Sequence, residues 1–289
     1  MGSKLLYYLI IKPISLCPYW FLYGLSDFFF VVLYYVVGYR KTVVSDNLEK
    51  SFPEKESKEL LSIRRRFYHH FCDLVIESLK NFSISEKQAT ERMTQINTAI
   101  VDEWVAKRGG VILCTGHFGN WELWAAAAPY GMKYPIVGIY KRLSSAFFDE
   151  KMRESRSKSG IILVSTRETG NYLRTNLQLP KAIAFAFDQS PADPEKCVWI
   201  NFMGRDTAAY FGAEKYGKEL NYPIIFGSID KVKRGHYEIT YTLVSSEPRD
   251  FQEGELIQIL YVELEKKVRQ FPEYYLWTHK RWKHRRKKT

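Results

Sequence analysis

The sequence predicts an α/β fold, a mixed central sheet flanked by helices, with an N-terminal hydrophobic membrane-anchoring helix. Three observations predict it. From residue 100 onward, short β-branched or aromatic runs alternate with helix-like segments, the texture of a sheet covered by helices. Residues 5 to 41 (LLYYLIIKPISLCPYWFLYGLSDFFFVVLYYVVGYRK) are overwhelmingly apolar and end in Arg40 and Lys41. Hydrophobic residues make up 46% of the 289, enough to bury one large domain or a domain plus an appendage.

Taken in order, the chain divides into an anchor over residues 1–40 and a second domain over 41–289. Tyr19 to Val37 approaches the ~20 residues that cross a hydrocarbon layer, yet it contains Asp27, and a carboxylate at the bilayer centre costs at least ~2.5 kcal/mol. Insertion at the interface and a tilted span with Asp27 partnered both remain open. A cleaved signal peptide fits poorly, since the apolar region is too long and no small-residue cleavage site follows. Ser51, with Pro53 in the first turn, is the expected N-cap of a long amphipathic helix over 54–82, in which Leu60, Ile63, Phe67, Phe71 and Leu74 recur at helical spacing. Its adjacent His69 and His70 point about 100° apart and do not clasp one metal. Beyond residue 100, GGVILCTG, KYPIVGIYK, IILVS, KAIAFAFD and CVWINFMG read as strands, and YPIIFGSIDKV with HYEITYTLV as a strand pair. GNWELWAAAAPY, SAFFDEKMRESRSKSG, ETGNYLRTNLQ, TAAYFGAEKYGKEL and EGELIQILYVELEKKVRQF read as helices.

The four cysteines are far apart, without CxxC spacing, so they read as reduced and mostly buried, and neither a disulfide framework nor a zinc site is supported. The net charge of +11 implies an anionic partner. The tail HKRWKHRRKKT (279–289) concentrates that charge, and near a lipid-seeking segment a polybasic cluster points to anionic membrane lipids. The abundance of Trp and Tyr suits a wall where apolar surface meets water.

One stretch carries chemistry. In CTGHFGNWELW (114–124) His117 sits between two glycine-containing turns, with Glu122 five positions on. With His117 in the turn after a strand and Glu122 in the following helix, Gly116 and Gly119 let the loop fold the imidazole toward the carboxylate. A carboxylate bonded to one ring nitrogen frees the other as a base.

GVILCTGHFGNWE resembles the HxxxxD/E motif of the lysophospholipid acyltransferase superfamily, and the whole chain is similar to the late acyltransferases of lipid A biosynthesis. The likeness runs from SDFFFVVLYYVVGYRKTVVSDNLEKSFPE through FYHHFCDLVIESLK, GIYK, FDQSP and FMGRDTAAYFG to FPEYYLWTHKRWK. It implies an acyltransferase domain over 41–289 that moves a fatty acyl chain from acyl carrier protein to a hydroxyl of a lipid A precursor. His117 is then the general base and Glu122 its orienting carboxylate. Asp188 shapes the site or holds a cationic partner, and its alternative is a turn carboxylate at a strand end. Lys141 stands where the family shows arginine, and Arg142 is a candidate to take over that contact, because lysine lacks the planar fork that grips phosphate. Arg153 and Arg156 share a helix face and either bind phosphate or face water. Arg205 and Thr207 begin a helix and either contact phosphate or cap it. The resemblance implies no metal and no bound organic cofactor, and places the enzyme on the cytoplasmic face of a bacterial inner membrane.

Three alternatives stay open. The same chemistry suits another acceptor: a glycerophospholipid, a phosphoglycolipid or an amino-acid lipid. A covalent route would use Cys114 or Thr115 as nucleophile. A basic membrane-tethered protein would bind nucleic acid through its tail, although no helix-turn-helix, zinc spacing or RNA-binding aromatic motif accompanies the charge, so nucleic acid is not the expected partner.

Overall fold

The computed structural model describes residues 2–286; Met1 and the last three residues of the basic tail lie outside the described residues. The apolar start is broken into pieces. Helices α1 (Gly2–Leu6) and α2 (Lys12–Leu16) are joined by a π-helical turn, and Pro18 then starts α3 (Tyr19–Val31), which continues as π-helical turns to Val37. Gly38, at φ 64°, ends it. The segment after it is a helix, α4 (Lys41–Ser51). Ser51 therefore closes α4 instead of capping the next helix, which is α5 (Ser57–Lys80), preceded by an extended Glu56.

Helix α6 (Glu86–Arg92) opens on a capping box between Ser85 and Gln88. Strand β1 (Met93–Ile96), helix α7 (Ala99–Arg108), β2 (Gly110–Thr115), α8 (Trp121–Ala127), β3 (Ile136–Tyr140), α9 (Ala146–Ser157), β4 (Ile162–Ser165), α10 (Thr169–Thr175) and β5 (Lys181–Ala186) follow. The chain ends with β6 (Val198–Phe202), β7 (Arg205–Ala209), α11 (Gly212–Leu220), β8 (Ile224–Lys233), β9 (His236–Ser245) and α12 (Glu255–Gln270).

Seven strands form the main sheet in the order β1-β9-β8-β2-β5-β3-β4. All neighbours are parallel except the β8–β9 hairpin, so β1 and β9 run against the other five. The sheet is mixed and mostly parallel, as its strand and helix alternation predicts. Strand β2 is central and buried at every residue, the pattern of a strand covered on both faces. Its side chains alternate between two layers: Ile112 and Cys114 pack with α5, α11 and α12, while Val111 and Leu113 pack with α7 and α8.

The stretch read as one helix from Thr207 is instead β7 and then α11. Met203 and Gly204, at φ 55° and 70°, make a two-residue turn that pairs Phe202 with Arg205, as a hairpin turn with both central residues at positive φ requires. This local turn outweighs the helix preference of Ala208 and Ala209.

The N-terminal region docks on the body through polar side chains. Ser26 Oγ donates to Asp73 at 2.8 Å and Tyr23 Oη to Glu77 at 3.0 Å, both on α5. Asp27 is partnered, by Arg234 at 2.6 Å and by His69 at 3.0 Å.

Candidate active site

Strands β2 and β5 are adjacent and parallel, in register from Gly110 with Lys181 to Thr115 with Ala186. Their carboxyl ends therefore release two turns side by side, 116–120 and 187–190, where open α/β sheets place their ligands. The first turn carries His117 and the second carries Asp188.

The two meet directly. His117 Nδ1 lies 2.6 Å from Asp188 Oδ1, and the same oxygen accepts the His117 backbone N–H at 3.0 Å. An acceptor-only carboxylate on Nδ1 fixes the proton there, and the other ring nitrogen, Nε2, accepts from the Gln189 amide at 3.0 Å. The Trp121 ring lies edge-on at 4.9 Å. His117 keeps 13% of its side chain exposed and Asp188 2%. Burial works against the Asp188 carboxylate, but His117, through charge and both hydrogen bonds, together with Arg281, holds it below the usual carboxylate range.

This geometry corrects the expected pairing of His117 with Glu122. Asp188 takes the ring nitrogen, while Glu122, in the first turn of α8, is clasped by Arg156 of α9 at 2.7 and 2.8 Å, a bidentate pair. Asn120 explains the divergence. Its side chain caps α8 at Leu123 N (2.8 Å) and donates to Glu77 at 2.6 Å, setting the helix start so that Glu122 points toward α9. Gly119, at φ 64°, makes the turn possible, and a Cβ there would also meet Ile229 at 2.7 Å.

The remaining candidates are dispersed. Arg156 is engaged with Glu122, so it is no free phosphate contact. Lys141 and Arg153 are exposed, and Arg142 is exposed and paired with Glu168 at 2.9 Å. Arg205 and Thr207 lie on β7, not at a helix start. Arg205 stacks over Trp282 at 3.9 Å, and Thr207, 1% exposed, accepts from Trp282 Nε1 at 2.8 Å. Neither forms a helix N-terminal phosphate site.

Sequence reasoning missed the C-terminal strap. The basic tail read as lipid-facing begins at His279, yet residues 274–281 thread the site. Leu276 N donates to His117 O at 3.2 Å and Gly119 N to Tyr274 O at 3.0 Å. Tyr275 is buried beside Asp188, and burial together with that carboxylate's charge raises its own pKa. Ser190 N donates to His279 Nε2 at 2.9 Å. Arg281, 1% exposed, donates to Ala208 O at 2.7 Å. The tail's charge beyond it, at Lys283, Arg285 and Arg286, is exposed. The signal was present in the alternating aromatic and polar residues of YYLWTHKRW, which a solvated tail does not need.

Two histidines brace these turns in neutral form. His70 Nε2 donates to Gly119 O at 3.3 Å, and burial, with Lys231 adding to it, pushes its pKa down to about 3. Burial also pushes His279 down to about 4. An unfolded histidine titrates near 6.5. Below that pH the unfolded chain takes up protons that the folded one refuses, so stability is complete above pH ~6.5 and falls as pH drops toward 4. By pH 5 each histidine is expected to remove about 2 kcal/mol, which urea unfolding at pH 7.5 and pH 5 measures.

Cys114 is 0% exposed, in the middle of the sheet, and burial pushes its thiol pKa up, which leaves no thiolate for a covalent route. Cys114→Ala is expected to keep full turnover per folded molecule at a stability cost of about 1 kcal/mol. Loss of turnover with an intact fold would restore the thiol as nucleophile.

A search of curated proteins finds no match to this chain. The family model for bacterial lipid A biosynthesis acyltransferases matches residues 2–284, almost every residue described above, and the chain belongs to that family.

Proposed function

We propose that this acyltransferase moves a fatty acyl group from the thioester of acyl carrier protein to a hydroxyl of a lipid A precursor, at the cytoplasmic face of a bacterial inner membrane. The observation that carries the chemistry is the 2.6 Å contact between His117 Nδ1 and Asp188 at the carboxyl edge of the sheet. Family membership supports the substrate class.

In this reading the acceptor hydroxyl displaces the Gln189 amide from His117 Nε2. As its oxygen attacks the thioester carbon, the proton passes to Nε2, and the imidazolium is held by Asp188. The tetrahedral adduct then collapses, the C–S bond breaks, and the departing thiolate takes the proton back. No acyl-enzyme forms, the proton ledger closes, and no metal or organic cofactor enters a step. Lys141, Arg142 and Arg153, exposed cations at or near the carboxyl end of β3, suit the phosphates of the acceptor or of the carrier's prosthetic group. Arg156 contributes by fixing Glu122.

The test offers radiolabelled acyl-ACP to purified membranes carrying wild-type or His117→Ala protein, with a disaccharide lipid, a glycerophospholipid and an amino-acid lipid as acceptors. Label in the disaccharide lipid that disappears in the variant supports the assignment. Label in one of the other acceptors moves the enzyme to that acceptor, and an unchanged His117→Ala removes the base.

A further inference from the structure

We infer that the Tyr19–Val37 helix lies in the plane of one leaflet of a phospholipid bilayer and does not cross it. By length and composition it suits a span, but its surroundings do not. Leu22, Ser26, Phe30 and Tyr34, four residues apart, form its buried stripe, and that stripe runs antiparallel along α5. Lys80 Nζ donates to Cys17 O at 3.1 Å at one end, Ser26 meets Asp73 at 2.8 Å near the middle, and Tyr68 Oη donates to Tyr39 O at 2.5 Å at the other. Helix α5 is itself a core helix, burying Ile63, Phe67 and Cys72 in the body of the enzyme. The apolar helix therefore cannot stand across a membrane unless α5 stands there too.

The ions at its midpoint decide the matter. Asp27 is 50% exposed and pairs with Arg234, 32% exposed, on the turn between β8 and β9, and Lys233 beside it is exposed. A 19-residue helix is about 28 Å long, so a perpendicular helix would carry this half-solvated cluster to the centre of the hydrocarbon, where ions are most costly. Gly235 locks the arrangement, for a Cβ there would fall 1.8 Å from Tyr23 Oη. Laid flat, the same helix keeps Asp27 on its flank, among headgroups. Its outer face presents Trp20, Phe28, Val31, Tyr35 and Val36, between 50% and 77% exposed, to acyl chains. Lys4, Lys12, Arg40 and Lys41 flank the helix in sequence, a positive charge that anionic headgroups favour. The family is membrane-associated, and this face gives that association a geometry independent of which acceptor is used.

The experiment places nitroxide labels on Trp20→Cys, Phe28→Cys and Val36→Cys, each in full-length Cys17→Ser/Cys197→Ser protein reconstituted into phosphatidylcholine/phosphatidylglycerol vesicles. Collision with oxygen against a water-soluble nickel chelate reads depth. A flat helix keeps the three labels within about one helix radius, ~5 Å, of a common depth just below the phosphates. A span puts residue 28 about 12 Å deeper than residues 20 and 36, which overturns the inference, as does a set of labels that all collide freely with the nickel chelate. In sealed vesicles, an impermeant maleimide is expected to label Lys4→Cys and Thr42→Cys, each in the same Cys17→Ser/Cys197→Ser background, from the side that labels Lys280→Cys; labelling of either from the opposite side only also overturns it.

Discussion

Replacing His117 with alanine is expected to lower kcat by at least ~10²-fold and as much as ~10⁴-fold, the worth of a positioned general base, with little change in KM for either substrate. In the proposed mechanism the acceptor keeps its contacts away from the reacting hydroxyl and loses the group that takes that hydroxyl's proton. The variant is expected to fold, because Asp188 still accepts the residue 117 backbone N–H. Acyl transfer from labelled acyl-ACP, followed beside the far-ultraviolet dichroism of both proteins, checks it. A folded variant within threefold of wild type would assign the proton to another group.

Asp188→Asn is the second large effect, an expected fall of about 10²- to 10⁴-fold in kcat, by analogy with orienting carboxylates in catalytic triads. The substitution conserves shape but removes a buried charge beside the imidazole. Without that charge the imidazolium formed during attack is less favoured, so the acidic limb of the kcat/KM profile is expected to move to lower pH. Glu122→Gln supplies the contrast. Glu122 acts on Arg156 at 2.7 Å, so its loss is expected to cost less than about tenfold and to leave the acidic limb in place. If Glu122→Gln instead reproduced both the loss and the pH shift, Glu122 would be the group that orients His117.

The exchange of Glu122 for Asp188 also shows how far the residues can be read without coordinates. The alternating texture after residue 100 announces the sheet, and the glycine-flanked His117 announces a polar turn at its edge, because both are local signals. The partner of His117 is not local. It depends on which strand lies beside β2, and β5, arriving some seventy residues later, brings Asp188 by register alone. A five-residue spacing suggests Glu122 only while the helix start is unknown, and Asn120, tied to Glu77 on α5, decides that start. Strand β7 was hidden by alanines that prefer helix, although the Met203–Gly204 turn marks it. Gln189, adjacent to Asp188 in the quoted FDQSP, took its place on Nε2 from the same strand register.

The strap of residues 274–281 has a consequence for folding. It holds the turns that carry His117 and Asp188, and on its other side Arg40 and Asn47 grip Thr278 O and Trp277 O at 2.9 Å, so helix α4 and the strap close on each other across more than two hundred residues. Contacts of such sequence separation pay a large loop-closure cost before they form. A molecule lacking residues 274–281 therefore loses the two backbone hydrogen bonds that steady the His117 turn, Leu276 N to His117 O and Gly119 N to Tyr274 O.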